Sequence, residues 1–115
     1  MDTLKMRNDP LESVLNIIYG KWKIRIICSL LQRPKYFGEL RRSIGNVSQK
    51  VLTENLRSLE KDGLVLRIIQ NNDISQVKYA LTKNGYNMIP VIDEMVRWGR
   101  TYGKVVPAKK QDESS

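Results

Sequence analysis

The alternation of apolar and polar positions from Ser48 to Ile69 predicts an amphipathic helix followed directly by a strand. At about 100° per residue, Leu52, Leu56 and Leu59 fall on one side of this helix. The opposite side is polar and carries Lys50, Thr53, Glu54, Arg57 and Lys61. Ser48 can cap the first turn, and Gly63 can adopt the left-handed conformation that ends a helix. One face should therefore pack into a core, and the other should meet a polar partner.

Shorter elements are predicted ahead of this helix. Helical spacing of apolar residues predicts a first helix over residues 11–19, with Pro10 in its first turn, and a second over residues 22–31 that ends at Arg33-Pro34. The second helix should supply core residues, namely Trp22, Ile26, Ile27, Leu30 and Leu31. Residues 35–37 are a candidate short strand, and residues 38–44 predict a third helix. Two short helices joined by a turn that contains glycine are the sequence form of a helix-turn-helix.

The second half of the chain predicts a hairpin and a long helix. LVLRIIQ (residues 64–70) and VKYALT (residues 77–82) are typical of strands, and NNDISQ between them is typical of a turn. Val77, Tyr79 and Leu81 should face inward. The last helix should run from Lys83 to about Gly103, with a kink at Pro90. Its apolar surface exceeds what one small domain usually needs to cover its own core.

Length and charge limit the classes of partner. A chain of 115 residues with 41% hydrophobic residues suits one domain, predicted at residues 11–104 between a flexible arm (1–10) and a flexible tail (105–115). The net charge of +8 favours nucleic acid or an anionic membrane surface, and a merely soluble basic protein is the alternative. Because no apolar run could span a bilayer and no secretion signal is present, we expect a cytoplasmic protein.

Residue chemistry argues against an enzyme. The chain has no histidine, no glycine-rich phosphate loop and no metal-ligand spacing, so neither a catalytic site nor a metal or cofactor is expected. The single cysteine, Cys28, cannot form an internal disulfide. It lies in the apolar run IRIICSLL, which favours a buried small hydrophobe over a redox or nucleophilic role.

These segments resemble the HxlR-type winged-helix transcriptional regulators of bacteria and archaea, relatives of the MarR-like group. The resemblance is carried by GKWKIRII (residues 20–27), residues 36–65, residues 77–92 and the Trp98-Gly99 pair. It implies a mainly α fold with a small β-hairpin (α+β), and a symmetric homodimer joined through the first and last helices. It further implies a recognition helix (residues 48–61) in the major groove of double-stranded DNA and a wing (residues 64–82) on flanking DNA. A protein bound to DNA in this way would be associated with the nucleoid.

Two departures from the family pattern are visible. Many members carry a Cys-Pro pair before the first helix, and in some this cysteine senses oxidants, but here the matching residues are Asp9-Pro10. A thiol switch at that position is therefore excluded. In the wing, Gln76 stands where the family often has arginine or lysine, and Lys78 is a candidate replacement.

The chemistry of base edges and phosphates suggests roles for individual residues. Gln49 and Lys50 should read bases, whereas Arg57 should anchor a phosphate. Glu54 either accepts from a cytosine amino group or, the favoured interpretation, pairs with Lys50 or Arg57. The predicted DNA-binding set is Arg41, Arg42, Ser48, Gln49, Lys50, Thr53, Glu54, Arg57, Asn72, Gln76 and Lys78. The predicted dimer interface is Leu11, Val14, Met88, Ile92, Met95, Trp98 and Tyr102.

Other functions compete with this interpretation. A winged helix can also bind protein or RNA without sequence-specific DNA readout, although the Lys50, Thr53 and Arg57 face favours DNA. A membrane-surface role is disfavoured because the basic residues are not gathered on one face of an amphipathic helix. A dimer cleft lined by Trp22, Tyr86, Met95 and Trp98 could admit an unidentified small-molecule effector, but such residues at helical spacing are more often core.

Overall fold

The structure is a computed structural model that describes residues 9–73 and 76–104. Most of the predicted arm and tail, residues 1–8 and 105–115, lie outside the described residues. The elements within them are, in order, α1 (Pro10–Ile18), α2 (Lys23–Gln32), β1 (Lys35–Tyr36), α3 (Phe37–Ile44), α4 (Gln49–Lys61), β2 (Val65–Ile69), β3 (Val77–Leu81), α5 (Lys83–Asn87) and α6 (Ile89–Tyr102). None of these helices is long and apolar enough to cross a membrane.

Local capping chemistry explains where α1 and α4 begin. The Asp9 carboxylate accepts a hydrogen bond from the Glu12 amide at 2.6 Å, and Pro10 fills the first helical position. Ser48 Oγ accepts from the Val51 amide at 3.0 Å, and Gly63 follows α4 with a φ of 78°. The predicted capping roles of Ser48 and Gly63 are therefore confirmed.

The core lies between α2, α3, α4 and one face of the sheet. Its buried members are Ile26, Ile27, Leu30, Leu40, Ile44, Val47, Leu52, Leu56, Leu59, Leu64, Val65, Leu81 and Ile92. The predicted packing face of α4 is confirmed, since none of its three leucines is more than 1% exposed. The prediction was wrong for Leu31, which is 43% exposed, and Trp22 is only partly buried against the core. Leu31 lies about 100° from Leu30, at the edge of the buried face and in the last turn of α2, where the core no longer covers it.

The sheet has three antiparallel strands in the order β1-β3-β2. The candidate strand at residues 35–37 is confirmed for residues 35–36, which form β1 and pair Lys35 with Tyr79, whereas Phe37 begins α3. Arg67 also pairs with Tyr79, while Leu66 pairs with Ala80 on the opposite face. Because directly opposed residues share a face, Arg67 and Tyr79 lie on the same side of the sheet as the buried Val65.

The last predicted helix is two helices. Met88 separates α5 from α6, and Pro90 lies in the first turn of α6 rather than at a kink inside one helix. Proline is tolerated there because the first amides of a helix have no intrahelical acceptor. Thr82 caps the start of α5, where its Oγ1 accepts a hydrogen bond from the Gly85 amide at 2.9 Å. The helices and the β2–β3 hairpin together form the predicted winged helix-turn-helix of the α+β class.

Candidate nucleic-acid interface

The turn between α3 and α4 fixes the direction in which α4 leaves the core. Gly45 ends α3 with a φ of 114°, a conformation that favours glycine. Val47 follows it and is 3% exposed, so the turn is anchored in the core. The Arg41 Nε donates to the Val47 carbonyl at 2.7 Å, which ties α3 to the same turn. The turn that leads into α4 is thereby held both by the core, through Val47, and by α3, through Arg41.

The polar face of α4 forms one open depression. The structure brings together five of the predicted contact residues there, namely Gln49, Lys50, Thr53, Glu54 and Arg57. Lys50 Nζ lies 4.0 Å from Glu54 Oε2, so the favoured ion pair is present. The two side chains are 84% and 59% exposed, and an ion pair at such exposure constrains them little. Lys50 is therefore free to exchange this partner for another.

A second depression lies beside the helix-turn-helix turn. Its lining comprises Gly38, Arg41, Arg42, Gly45, Asn46, Val47 and Ser48. The two adjacent arginines differ, as their position on the helix requires. Arg41 already donates from its Nε to the Val47 carbonyl in the turn. The Arg42 guanidinium instead lies beside Gly38 in the first turn of α3, where a Cβ added to Gly38 would be 3.4 Å from Arg42 Nη1. Arg42 is therefore the better placed of the two to contact an external anion.

The wing separates its predicted contact residues. Asn71 and Asn72 have φ angles of 55° and 57° and form the tip, where Asn72 and Gln76 are exposed. The turn residues 74 and 75 lie outside the described residues. Lys78 faces the other way, with its ammonium 4.9 Å from the centre of the Tyr36 ring on the outer face of the sheet. The structure therefore does not bring Lys78 to the polar face of α4.

A notch between α4 and the inner face of the sheet contains Glu60 and Arg67, two residues that the sequence pattern did not single out. It is lined by Thr53, Leu56, Arg57, Glu60, Arg67 and Tyr79. Arg67 Nε lies 3.8 Å from Glu60 Oε1. Burial raises the pKa of Tyr79, and the Glu60 carboxylate raises it further. Arg67 and Arg57 lower this pKa, but the net shift is upward. The available signal was Arg67 itself, a lone charge at an inward position of an apolar strand.

A buried lysine holds α2, β1 and α3 together and was also missed. Lys35 is 4% exposed, and its Nζ donates to the Ser29 carbonyl at 2.6 Å, to Ser29 Oγ at 2.8 Å and to Gln32 Oε1 at 2.7 Å. Ser29 Oγ in turn lies 2.6 Å from Ser43 Oγ on α3. Burial lowers the pKa of Lys35, and the Arg33 guanidinium adds to this effect. The acceptors of Lys35 are neutral, and the hydrogen bonds of the cluster join α2, β1 and α3. The cluster is therefore part of the frame that supports the helix-turn-helix.

The start of α3 is fixed by Glu39. Its Oε1 accepts from the Tyr36 amide at 3.0 Å, and its Oε2 lies 2.9 Å from Arg33 Nη2. The hydrogen bond from Arg33, followed by that from the Tyr36 amide, lowers the pKa of Glu39 to about 2. The carboxylate therefore satisfies one of the amide groups left open at the helix start.

Cys28 is exposed, so the prediction that it is a buried small hydrophobe was wrong. The inward positions of α2 are occupied by Ile26, Ile27 and Leu30, and Cys28 lies about 100° from Ile27. Partial burial and the Asp93 carboxylate raise the pKa of its thiol, although Arg25 opposes them. A raised pKa disfavours the reactive thiolate, so the surroundings of Cys28 do not favour a nucleophilic role.

The predicted dimer residues divide between surface and core. Leu11, Val14, Met95, Trp98 and Tyr102 are exposed in the single chain. Trp98 and Tyr102 also contact each other, with ring centres 5.8 Å apart. Ile92, at 4% exposure, belongs to the core of its own chain, which corrects its assignment to an accessible interface, and Met88 packs against that core. Of the predicted effector-cleft residues, Trp22 packs against the core, whereas Tyr86, Met95 and Trp98 are exposed.

Comparison with known proteins agrees with this architecture. A family model described as HxlR-like helix-turn-helix matches residues 17–107. An uncharacterized HTH-type transcriptional regulator of Bacillus subtilis (strain 168), YtcD, is 38% identical over 86% of this chain and 82% of its own length. Another, from Methanothermobacter thermautotrophicus, is 38% identical over 80% of this chain and 70% of its own length. The solved reduced form of the B. subtilis transcriptional regulator YodB, 32% identical, superposes with a TM-score of 0.75, covering 84% of this chain and 95% of that one.

Proposed function

Since the chain belongs to the HxlR-like helix-turn-helix family, whose matched relatives are transcriptional regulators and not enzymes, we propose that it binds specific sequences of double-stranded DNA. The observation that carries the proposal is the polar face of α4, where four neutral or basic contact residues, Gln49, Lys50, Thr53 and Arg57, share one open depression with Glu54. A helix that projects from a rigid turn and exposes such a face has the shape and chemistry to enter a major groove. We propose that it acts in the cytoplasm.

Base reading is assigned to the first turn of α4. Helices that lie in the major groove contact base edges mainly through their N-terminal residues, and Gln49 and Lys50 occupy that turn. Both can donate to base edges in the groove, and lysine suits guanine. Thr53, one turn further along, can contact a phosphate or a thymine methyl group. Glu54 would pair loosely with Lys50 in the free protein and release it when Lys50 contacts a base.

Backbone contacts are assigned to Arg57 and Arg42. Arg42 and the exposed Ser48 line the depression beside the turn, where the start of α4 also favours an anion. Arg41 is given a positioning role, because its Nε is already bonded to the Val47 carbonyl. The tip residues Asn72 and Gln76, and Lys78, stay predictions.

A homodimer would present two copies of α4 to one face of the duplex. The exposed apolar side chains of α1 and α6 support this assembly, because large apolar side chains that recur along the exposed side of a helix are typical of an interface. In a symmetric dimer the operator would be pseudo-palindromic, with half-sites about one helical turn or a small multiple apart. An apolar effector that binds between the subunits stays a prediction.

The assignment of roles can be tested with duplexes taken from the DNA upstream of the gene. Lys50→Ala should weaken binding to the cognate duplex more than to random duplex. Arg57→Ala should weaken both alike and reduce the slope of log K against log salt by about 0.9 for each phosphate that is no longer neutralised. Arg97→Ala, which removes a surface arginine paired with Glu94 on α6, is the matched control. Equal losses for Lys50→Ala and Arg57→Ala on both duplexes would overturn the roles, and stronger binding to RNA than to DNA would favour the rival function.

A further inference from the structure

The notch between α4 and the sheet is formed by residues that secondary structure places side by side. Arg67 and Tyr79 are directly opposed on β2 and β3 and lie on the face turned toward α4. Thr53, Arg57 and Glu60 reach the notch from successive turns of α4. Two guanidinium groups, a phenol and a carboxylate therefore converge in one small space, with a net charge of one positive unit.

The notch is continuous with the proposed groove-facing surface. Thr53 and Arg57 line both the notch and the depression that contains Gln49 and Lys50. A nucleic-acid strand that follows the polar face of α4 would therefore pass the mouth of the notch. The group that it would present there is a backbone phosphate.

Arg67 forms a loose ion pair with Glu60 that leaves hydrogen-bond donors of its guanidinium available. The separation of 3.8 Å between its Nε and Glu60 Oε1 is longer than a hydrogen bond, and its side chain remains 50% exposed. A guanidinium can bind a phosphate through two parallel hydrogen bonds, which is a stronger interaction than this loose ion pair. The Tyr79 hydroxyl is protonated at neutral pH and can donate a hydrogen bond.

The tip of the wing offers less to a polyanion. The connection between β2 and β3, residues 70–76, contains one aspartate and neither lysine nor arginine. Lys78, the next basic residue along β3, lies against Tyr36 on the outer face. Positive charge on the wing that faces the same way as α4 is therefore provided by Arg67, at the base of the hairpin.

We propose that the notch of Arg57, Arg67 and Tyr79 binds a phosphate of the DNA backbone, and that Glu60 competes with this phosphate for Arg67. The wing then contacts DNA through its base rather than through its tip. This inference rests on the proposed DNA binding and adds a second point of backbone contact on the wing side of α4.

Salt-dependent binding of a generic duplex provides the first test. Arg67→Gln should weaken binding about tenfold for each half-site, as expected when a charge-assisted hydrogen bond is removed, and lower the salt slope by about 0.9 per site. Tyr79→Phe should weaken binding by a smaller factor. The matched control is Arg97→Gln, which also removes a surface arginine paired with a glutamate, and it should leave affinity and slope unchanged. Circular dichroism checks that each variant remains folded.

A double-mutant cycle tests the competition by Glu60. Glu60→Gln should tighten binding in the wild-type background, because Arg67 loses its intramolecular partner. In the Arg67→Gln background the same change should have little effect. An equal gain in both backgrounds would show that Glu60 acts only through its general negative charge, and would overturn the competition.

The outcomes separate this inference from the function on which it rests. A wild-type protein that binds no duplex would overturn both. A wild-type protein that binds DNA, with Arg67→Gln indistinguishable from Arg97→Gln, would overturn the notch alone. Inorganic phosphate, followed through the NMR signals of the Tyr79 ring, distinguishes a free-anion site: saturable binding of phosphate, combined with unchanged duplex binding by Arg67→Gln, would contradict the assignment to the DNA backbone.

Discussion

Replacing Gly85 by alanine tests how α5 is joined to the start of the wing. A Cβ at this position would lie 2.3 Å from the Leu64 carbonyl oxygen and 3.1 Å from Leu81 Cδ2. The Leu64 carbonyl also accepts a hydrogen bond from the Thr82 amide at 3.1 Å. Because the obstructing atom belongs to the backbone, rotation of a side chain cannot relieve the clash. The helix and the strand must separate by about 1 Å, which close-packed interiors resist.

The cost of this separation has two parts. Overpacking a filled core costs about 1–3 kcal/mol, and weakening the Thr82 to Leu64 hydrogen bond adds about 1 kcal/mol. We therefore expect Gly85→Ala to lower the free energy of unfolding by about 3 kcal/mol. For a domain of this size, the midpoint of thermal unfolding should fall by about 10–15 °C.

Chemical and thermal unfolding followed by circular dichroism measure this effect. All samples are compared at one protein concentration, because dimer formation would make the midpoint depend on concentration. Gly38→Ala is the control: it also lies in a helix, but its Cβ would approach only the flexible end of Arg42, at 3.4 Å. Helix propensity should leave Gly38→Ala as stable as the wild type, or up to about 1 kcal/mol more stable. If Gly85→Ala is as stable as Gly38→Ala, the described packing of α5 is wrong.

Two further predictions follow from the packing and from the pKa of Glu39. Glu39 has a pKa of about 2 against an ordinary 4.5, so its contribution to stability is fully present above pH 4.5 and is lost as the pH falls toward 2. Glu39→Gln should flatten the dependence of unfolding free energy on pH in that window, and an unchanged slope would contradict the interactions with Arg33 and Tyr36. Met95→Asp should give a folded monomer in light scattering, because Met95 is 37% exposed in the single chain, whereas Ile92→Asp should unfold the chain, because Ile92 is 4% exposed. An intact Met95→Asp dimer would place the interface elsewhere.

Local signals allow α4 to be predicted from the sequence. Ser48 and Gly63 act within one turn of the helix ends, and three leucines recur at helical spacing on the apolar face of α4. Neither signal depends on distant parts of the chain. The polar face follows by exclusion, which is why the five residues of its depression can be identified from the sequence.

Interactions between distant segments explain what the sequence does not show. The opposition of Arg67 and Tyr79 depends on the register of a hairpin, and the burial of Lys35 depends on α2 and β1 meeting. Apolar periodicity runs through Met88 without interruption, so it gives no sign that α5 ends there. Periodicity also marks Ile92 as apolar without saying which surface covers it.

Selection from a random duplex library tests most directly whether the first turn of α4 reads DNA sequence. The wild-type protein should enrich a pseudo-palindromic site, and Lys50→Ala should lose or alter the preference at the same position in each half-site while leaving the other positions unchanged. Enrichment of no sequence by the wild type, or an identical site for Lys50→Ala, would contradict the claim.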